Sequence, residues 1–203
     1  RAAIEEIDHA RRCFALAAGY GGRSHTAEPM PELAVLVDVQ GDWLSYARPD
    51  GADLVFTAAD GKTPLPFEIE RFSSSPPHLT AWVAVPALSP MVDTLLYLYY
   101  DNPLAVPGPP VGPVWSDGYA GVWHLGEPVT AGQNGGFHAD ATGQGRDGTQ
   151  NGNGAEEGKI GGGQHFDGQG SFIDIAHPEA FVLGDSDCTI SAWVKTASAQ
   201  PNA

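Results

Sequence analysis

Three observations in this 203-residue sequence predict an all-β protein, a β-sandwich followed by a partial jelly roll. Short runs of β-branched and aromatic residues recur along the chain, dense Gly, Asp, Asn and Pro clusters separate them, and one proline-dense bridge divides them into two sets. Glycine (26) and proline (17) make up about a fifth of the residues, too many for a helical bundle. The interspersed apolar runs set the chain apart from unpatterned disorder.

Residues 1–18 (RAAIEEIDHARRCFALAA) read two ways. The alanines and the Ile4, Ile7 spacing suit a helix, whereas AIEEID also suits an edge strand. GYGGRSHTAEPMPE reads as loop, broken by Gly21, Gly22, Pro29 and Pro31. From Leu33 the period of two is firm: in LAVLVDV, Val35, Val37 and Val39 share one face and Leu36 takes the other. ADLVF, PFEIERF, LTAWVAV and TLLYLYY follow, separated by PDG, ADG, SSSPP and PALSP. TLLYLYY is apolar on both faces, which predicts a central strand.

PLAVPGPPVGPV then places five prolines among twelve residues, a density that forbids a hydrogen-bonded ladder. The predicted organisation is a first sandwich over 1–105, a linker over 106–113 and a second, incomplete module over 114–203. In the second module GVWHL, HFDG, SFIDI and TISAWV read as strands, with Ile190, Ala192 and Val194 facing one way and Trp193 the other. About ninety residues follow the linker, few for a two-sheet jelly roll, so the module is expected either to be truncated or to expose an apolar face where strands are missing; with Arg1 in place of a methionine or signal peptide, the sequence reads as a piece of a longer protein.

Charge narrows the partners. Twenty-five acidic against ten basic residues give a formal charge of −15, which repels a phosphate backbone and makes nucleic acid an unsuitable partner. No apolar run reaches the ~20 residues that span a bilayer, so membrane attachment would come only through segments outside this chain. Cys13 and Cys188 fall in different modules, and neither module can assemble a disulfide framework or a thiolate zinc site.

From about Leu33 to Asn102, the motifs VLVDV, PDGADLVFTAADGKTPLPFEIERF, LTAWVAVP and LYLYYDNP resemble a bacterial domain of unknown function. That family occurs in exported surface proteins and beside ExbB/TolQ-like proton channels, and its first strand is similar to RAAIEEIDHAR, which favours a strand there. From about Val122, the motifs VWHLGE, DATG, GKIGGGQHFDGQGSFIDI and TISAWVK resemble the N-terminal half of a laminin-G-like or concanavalin A-like jelly roll. The resemblance implies a carbohydrate- or surface-binding sandwich, sometimes loaded with calcium, in a secreted, periplasmic or cell-surface protein.

The candidate chemistry is sparse. Glu68 and Glu70 would project from one strand face about 6.5 to 7 Å apart, a carboxylate separation compatible with glycoside hydrolysis, but also with a solvated strand face beside Arg71. Asp140, Asp147, Asp167 and Asp174 lie in or beside Gly-rich turns. Asp140 and Asp167, which match positions that recur in the laminin-G-like family, are the candidate ligands of a calcium ion; the alternative is that Asp in such turns bonds its own backbone. Gly143, Gly145 and Gly148 satisfy G-x-G-x-x-G without the strand and helix that dinucleotide binding requires. His124 reads as a hydrogen-bonded core histidine. Trp82, Trp115, Trp123 and Trp193 read as core residues or sugar-stacking platforms, and Trp43 as the most superficial tryptophan.

The expected function is a non-catalytic binding or adhesion module that recognises carbohydrate or another surface polymer. Two other expectations stand beside it: a structural or sensory domain attached to an ExbB/TolQ-like channel, and an accessory part of a carbohydrate-active enzyme.

Overall fold

The computed structural model describes residues 4–7, 12–18, 30–89, 92–105, 112–115, 118–181 and 188–196. The chain is all-β, and the described residues contain no α-helix. Its residues pack as two units, Arg1–Val122 and Trp123–Ala203.

The first unit is a sandwich of two antiparallel sheets. One has the order β1 (Ile4–Ile7), β2 (Arg12–Ala18), β7 (Thr94–Tyr100), β4 (Val55–Thr57); the other has the order β3 (Met30–Gln40), β6 (Pro77–Leu88), β5 (Phe67–Ser74). RAAIEEID therefore contributes a strand, and TLLYLYY lies between β2 and β4 as its two apolar faces predict. Alternation explains the core. Val37 and Val39 of β3, Leu79, Ala81, Val83 and Val85 of β6, Phe56 of β4, and Leu96, Leu98 and Tyr100 of β7 form one buried cluster, joined by Leu44 from the short 3-10 helix Asp42–Tyr46 and by Leu54 and Leu65 from the loops. Burying a side chain of this size contributes about 1.5–3 kcal/mol.

Strand β5 departs from simple alternation. Its register against β6 runs Phe67 to Val83, Ile69 to Ala81, Arg71 to Thr80 and Phe72 to Leu79, which leaves Glu70 as the extra residue of a bulge. The bulge lets Phe67, Ile69 and Phe72 all pack on the core despite the odd spacing of the last pair. Glu68 and Arg71, rather than Glu68 and Glu70, therefore share the outer face.

Val114 and Trp115, at the end of the proline-dense segment, are buried within the first unit. The Trp115 ring meets Trp82 edge-on at 5.1 Å and Tyr119 at 5.3 Å. Most of the proline-dense bridge itself, 106–111, lies outside the described residues.

The second unit carries a three-stranded antiparallel sheet, β8 (Asn134–His138), β9 (Gly148–Asn151) and β12 (Phe172–Ile175) with β9 central, and a two-stranded hairpin, β10 (Gly154–Glu157) with β11 (Gly162–His165). SFIDI forms β12 as expected. HFDG contributes only His165 to β11, because Asp167 and Gly168, the latter at φ 71°, form a turn. GVWHL forms no strand: Leu125 takes φ 59°, and Gly126 and Pro128 follow, so the chain turns out of extended pairing.

TISAWV also forms no strand. Ile190, Trp193 and Val194 are 90%, 74% and 79% exposed, and no described strand pairs with them. Alternation marks which residues suit a pleated surface, but a strand exists only when a neighbouring ladder accepts its N–H and C=O groups.

The lead-in segment 123–131 is instead inlaid over the second unit. A Cβ at Gly136 would come within 2.6 Å of Val129, at Gly154 within 2.6 Å of Ala131, and at Gly162 within 2.6 Å of Gly126. Gly154 and Gly162 let the lead-in backbone come close, and Gly136 leaves room for the side chains of Val129 and Gln150.

Candidate functional site

On the outer face of the β3–β6–β5 sheet, pairing sets three rows side by side: Glu68, Trp82 and Leu36; Arg71, Thr80 and Asp38; Ser73, His78 and Gln40. Glu68 Oε2 accepts the indole N–H of Trp115 at 2.9 Å. His78 Nε2 lies 2.6 Å from Asp38 Oδ1 and 3.4 Å from Thr80 Oγ1. Ser, Thr, His and Asp thus gather on one face, yet a single ring nitrogen meets both the carboxylate and the hydroxyl. A nucleophile relay needs the carboxylate on one nitrogen and the hydroxyl on the other, and this arrangement does not supply it.

The second unit is built round buried polar side chains. His138 and Asn153 are fully buried and Gln150 nearly so. Their orientation follows from groups that can only accept. Gln164 Nε2 donates to the carbonyls of Leu125 (2.9 Å) and Glu127 (3.1 Å), so its Oε1 accepts from Asn153 Nδ2 at 2.9 Å. Asn153 Oδ1 then accepts the Asn151 N–H, and Nδ2 also faces His138 Nε2 at 3.2 Å, which makes that nitrogen the acceptor. His138 Nδ1–H consequently donates to Glu127 Oε2 at 2.9 Å, while Glu127 Oε1 accepts the Ala139 N–H at 2.8 Å.

Partial burial pushes the Glu127 carboxyl upward, but the bonds from His138 and Ala139 outweigh it and hold the group below its ordinary range. Gln150 Nε2 meanwhile donates to the carbonyls of Thr130 and Asn153. The lead-in segment, which lacks a ladder, is thus fastened by Gln164, Gln150 and Glu127. The network is closed on itself and serves as the unit's core.

The other face of the same sheet is open. Direct pairing places Phe137, Thr149 and Asp174 in one row and Asn134, Asn151 and Phe172 in the next, all pointing away from His138, Gly148 and Gln150. Phe137 is 58% exposed and Phe172 53%. Thr149 and Asp174 are exposed and Asn151 half-buried. Aromatic rings in water beside hydroxyl, amide and carboxylate groups form a surface fitted to a ligand that is apolar on its faces and polar at its rim.

Asp140 and Asp167 belong to separate turns. Asp140 accepts from the N–H and the hydroxyl of Thr142 and from the Arg146 N–H, and its own N–H donates to Asp147 Oδ1. Asp167 Oδ1 accepts from the Gln169 N–H, the Ser171 hydroxyl and the Ser171 N–H, which together lower its carboxyl below the usual range. A cation on Asp140, or on Oδ1 of Asp167, would compete with these donors. Among the described residues no three His, Cys, Asp or Glu side chains form a group that could hold a metal ion.

The remaining candidates are scattered. His124 is half-buried, and among the described residues the fully buried histidine is His138. Trp43 packs against Tyr100 at 5.3 Å, and Trp193 is more exposed than Trp43. Cys188 is a free, exposed thiol. No described helix is long and apolar enough to cross a membrane.

Residues 50–111 match a family described as Domain of unknown function (DUF2341), a span that covers β4 to β7. No curated protein and no solved structure matches the chain.

Proposed function

We propose that this chain is a non-catalytic binding or adhesion segment of an exported bacterial surface protein, and that its second unit recognises carbohydrate. The reading rests on one observation: the open face of the β8–β9–β12 sheet carries Phe137 and Phe172 in water, with Thr149, Asn151 and Asp174 on the same surface. A pyranose offers C–H groups on its faces and hydroxyls round its edge, and it suits an aromatic ring flanked by short polar side chains. In this proposal the second unit corresponds to the N-terminal half of a laminin-G-like or concanavalin A-like jelly roll, and the first unit serves as the neighbouring module that presents it.

The test is a glycan array probed with the whole chain, with the Phe137→Ala/Phe172→Ala double variant alongside. Retention on neutral glycans by the parent and loss in the double variant are expected. A blank array for the parent, or equal retention by both proteins, would defeat the reading.

A further inference from the structure

The lead-in segment 123–131 is held differently from the strands of either unit. Among the described residues, one backbone bond reaches it from a strand, the Ala155 N–H donating to the Val129 carbonyl at 3.0 Å. Its other fastenings are made by side chains. Gln164 Nε2 donates to the carbonyls of Leu125 and Glu127, Gln150 Nε2 donates to that of Thr130, and the Glu127 carboxylate accepts from His138 and from the Ala139 N–H. At the start of the segment the Trp123 indole N–H donates to the Arg146 carbonyl at 2.9 Å, and its ring lies 5.9 Å from that of Phe181.

What the segment covers is largely polar. When it leaves, Gln150, Gln164, His138 and the Ala139 N–H lose partners, and water can replace each of those bonds. In the first unit, by contrast, withdrawing β6 or β7 would bare Leu79, Val83, Leu96 and Leu98, for which water offers no such replacement. The ladders of β9 with β8 and with β12 do not run through the segment, so the sheet keeps its pairing without it. The second unit also begins at Trp123, so the chain arriving from the first unit enters through this segment. Tension on that connection meets side-chain bonds before it meets a ladder.

We infer that residues 123–131 form a detachable strap, which leaves the second unit as a block and returns while the β8–β9–β12 sheet stays folded, and which lengthens the joint between the units when the chain is pulled. The inference is independent of the carbohydrate reading and goes beyond it. At ~3.4 Å per extended residue, the strap releases up to about 30 Å of chain.

Native-state hydrogen exchange on the whole chain reads the block directly. The Ala139 and Ala155 N–H groups donate to the strap from the body of the unit. They should therefore share one protection factor, at least about tenfold below that of the amides of β9. Trp123→Ala removes the fastening at the strap's start and should lower both by about tenfold more, with β9 unchanged. Trp123→Phe, which keeps a ring and loses the indole bond, should fall between. Unequal protection of Ala139 and Ala155, exchange of both only together with β9, or no response to Trp123→Ala would overturn the inference.

Optical tweezers holding the chain by its two ends give the second measurement. A reversible first lengthening of up to about 30 Å, ahead of the loss of either unit and at lower force in Trp123→Ala, is the expected record. Loss of a whole unit with no shorter event before it would overturn the inference as well.

Discussion

Asp53 illustrates how much one carboxylate can hold. It is 3% exposed, its Oδ1 accepts the Arg48 N–H at 2.9 Å, and its Oδ2 accepts those of Asp101 (2.8 Å) and Asn102 (3.1 Å). The DLVF motif, read in the sequence only as a strand preceded by a turn, is thus also the clasp that joins the lead-in to β4 with the end of β7. Asp53→Ala strands three backbone donors and should cost about 2–4 kcal/mol by urea unfolding, whereas Asp53→Asn keeps acceptors on one atom and should cost roughly half as much. Equal losses would argue against the clasp.

Glu127 gives the second prediction at this scale. Its folded carboxyl titrates below the ordinary range because the bonds from His138 and Ala139 outweigh the effect of burial. Its contribution to stability is therefore whole above that range and lost as pH falls through the folded value. In Glu127→Gln the loss of stability as pH falls from the ordinary carboxylate range to below it should flatten; an unchanged profile would remove Glu127 as its cause.

At the scale of elements, what was legible in the sequence follows from how each strand is held. Strands β3, β4, β6 and β7 alternate clearly, and β5 does so on either side of its bulge, because each buries one face in a single apolar core, and LAVLVDV or LTAWVAV can satisfy that core only as strands. β8 to β11 read NGGFH, GTQN, GAEE and GGQH, with no apolar period to find, since their inner face meets Gln150, Asn153 and His138. Tertiary hydrogen bonds and glycine contacts make those strands, and a pattern of hydrophobicity cannot report them. The same reasoning explains GVWHL and TISAWV, which have the pattern without the ladder.

The open face was missed for a related reason. Phe137 and Phe172 stand thirty-five positions apart, and only the shared partner strand β9 brings them onto one surface. The phenylalanines themselves were visible; their juxtaposition was not.

The bulge in β5 makes a prediction at this scale. Removing Glu70 leaves Ile69, Arg71 and Phe72 opposite Ala81, Thr80 and Leu79 in unbroken alternation, so the deletion should preserve the fold and change stability by no more than about 1 kcal/mol. Removing Phe72 instead brings a serine onto the core at Leu79 and should cost about 3–5 kcal/mol. The reverse order of effects would mean that the turn, and not the core, sets the register of this hairpin.

Across the whole molecule, the division at Val122 assigns the segment after the proline-dense bridge to the first unit, through the Trp115 ring on Trp82 and its indole bond to Glu68. Trp115→Ala should destabilise the first unit by about 3 kcal/mol or more, while the second unit's amide exchange stays unchanged. Loss in the second unit alone would place the segment there. The two units are stabilised differently, the first by aliphatic and aromatic packing and the second by an amide and carboxylate network, and the proposed ligand surface belongs to the second.

The claim that the outer face of the β8–β9–β12 sheet is that surface is tested most directly by amide chemical-shift mapping of the whole chain during titration with the neutral oligosaccharide it binds. Shifts concentrated at Phe137, Thr149, Asn151, Phe172 and Asp174, with His138, Asn153 and Gln164 unmoved, are the predicted result. Shifts confined to the first unit, or to the turns of Asp140 and Asp167, would contradict it.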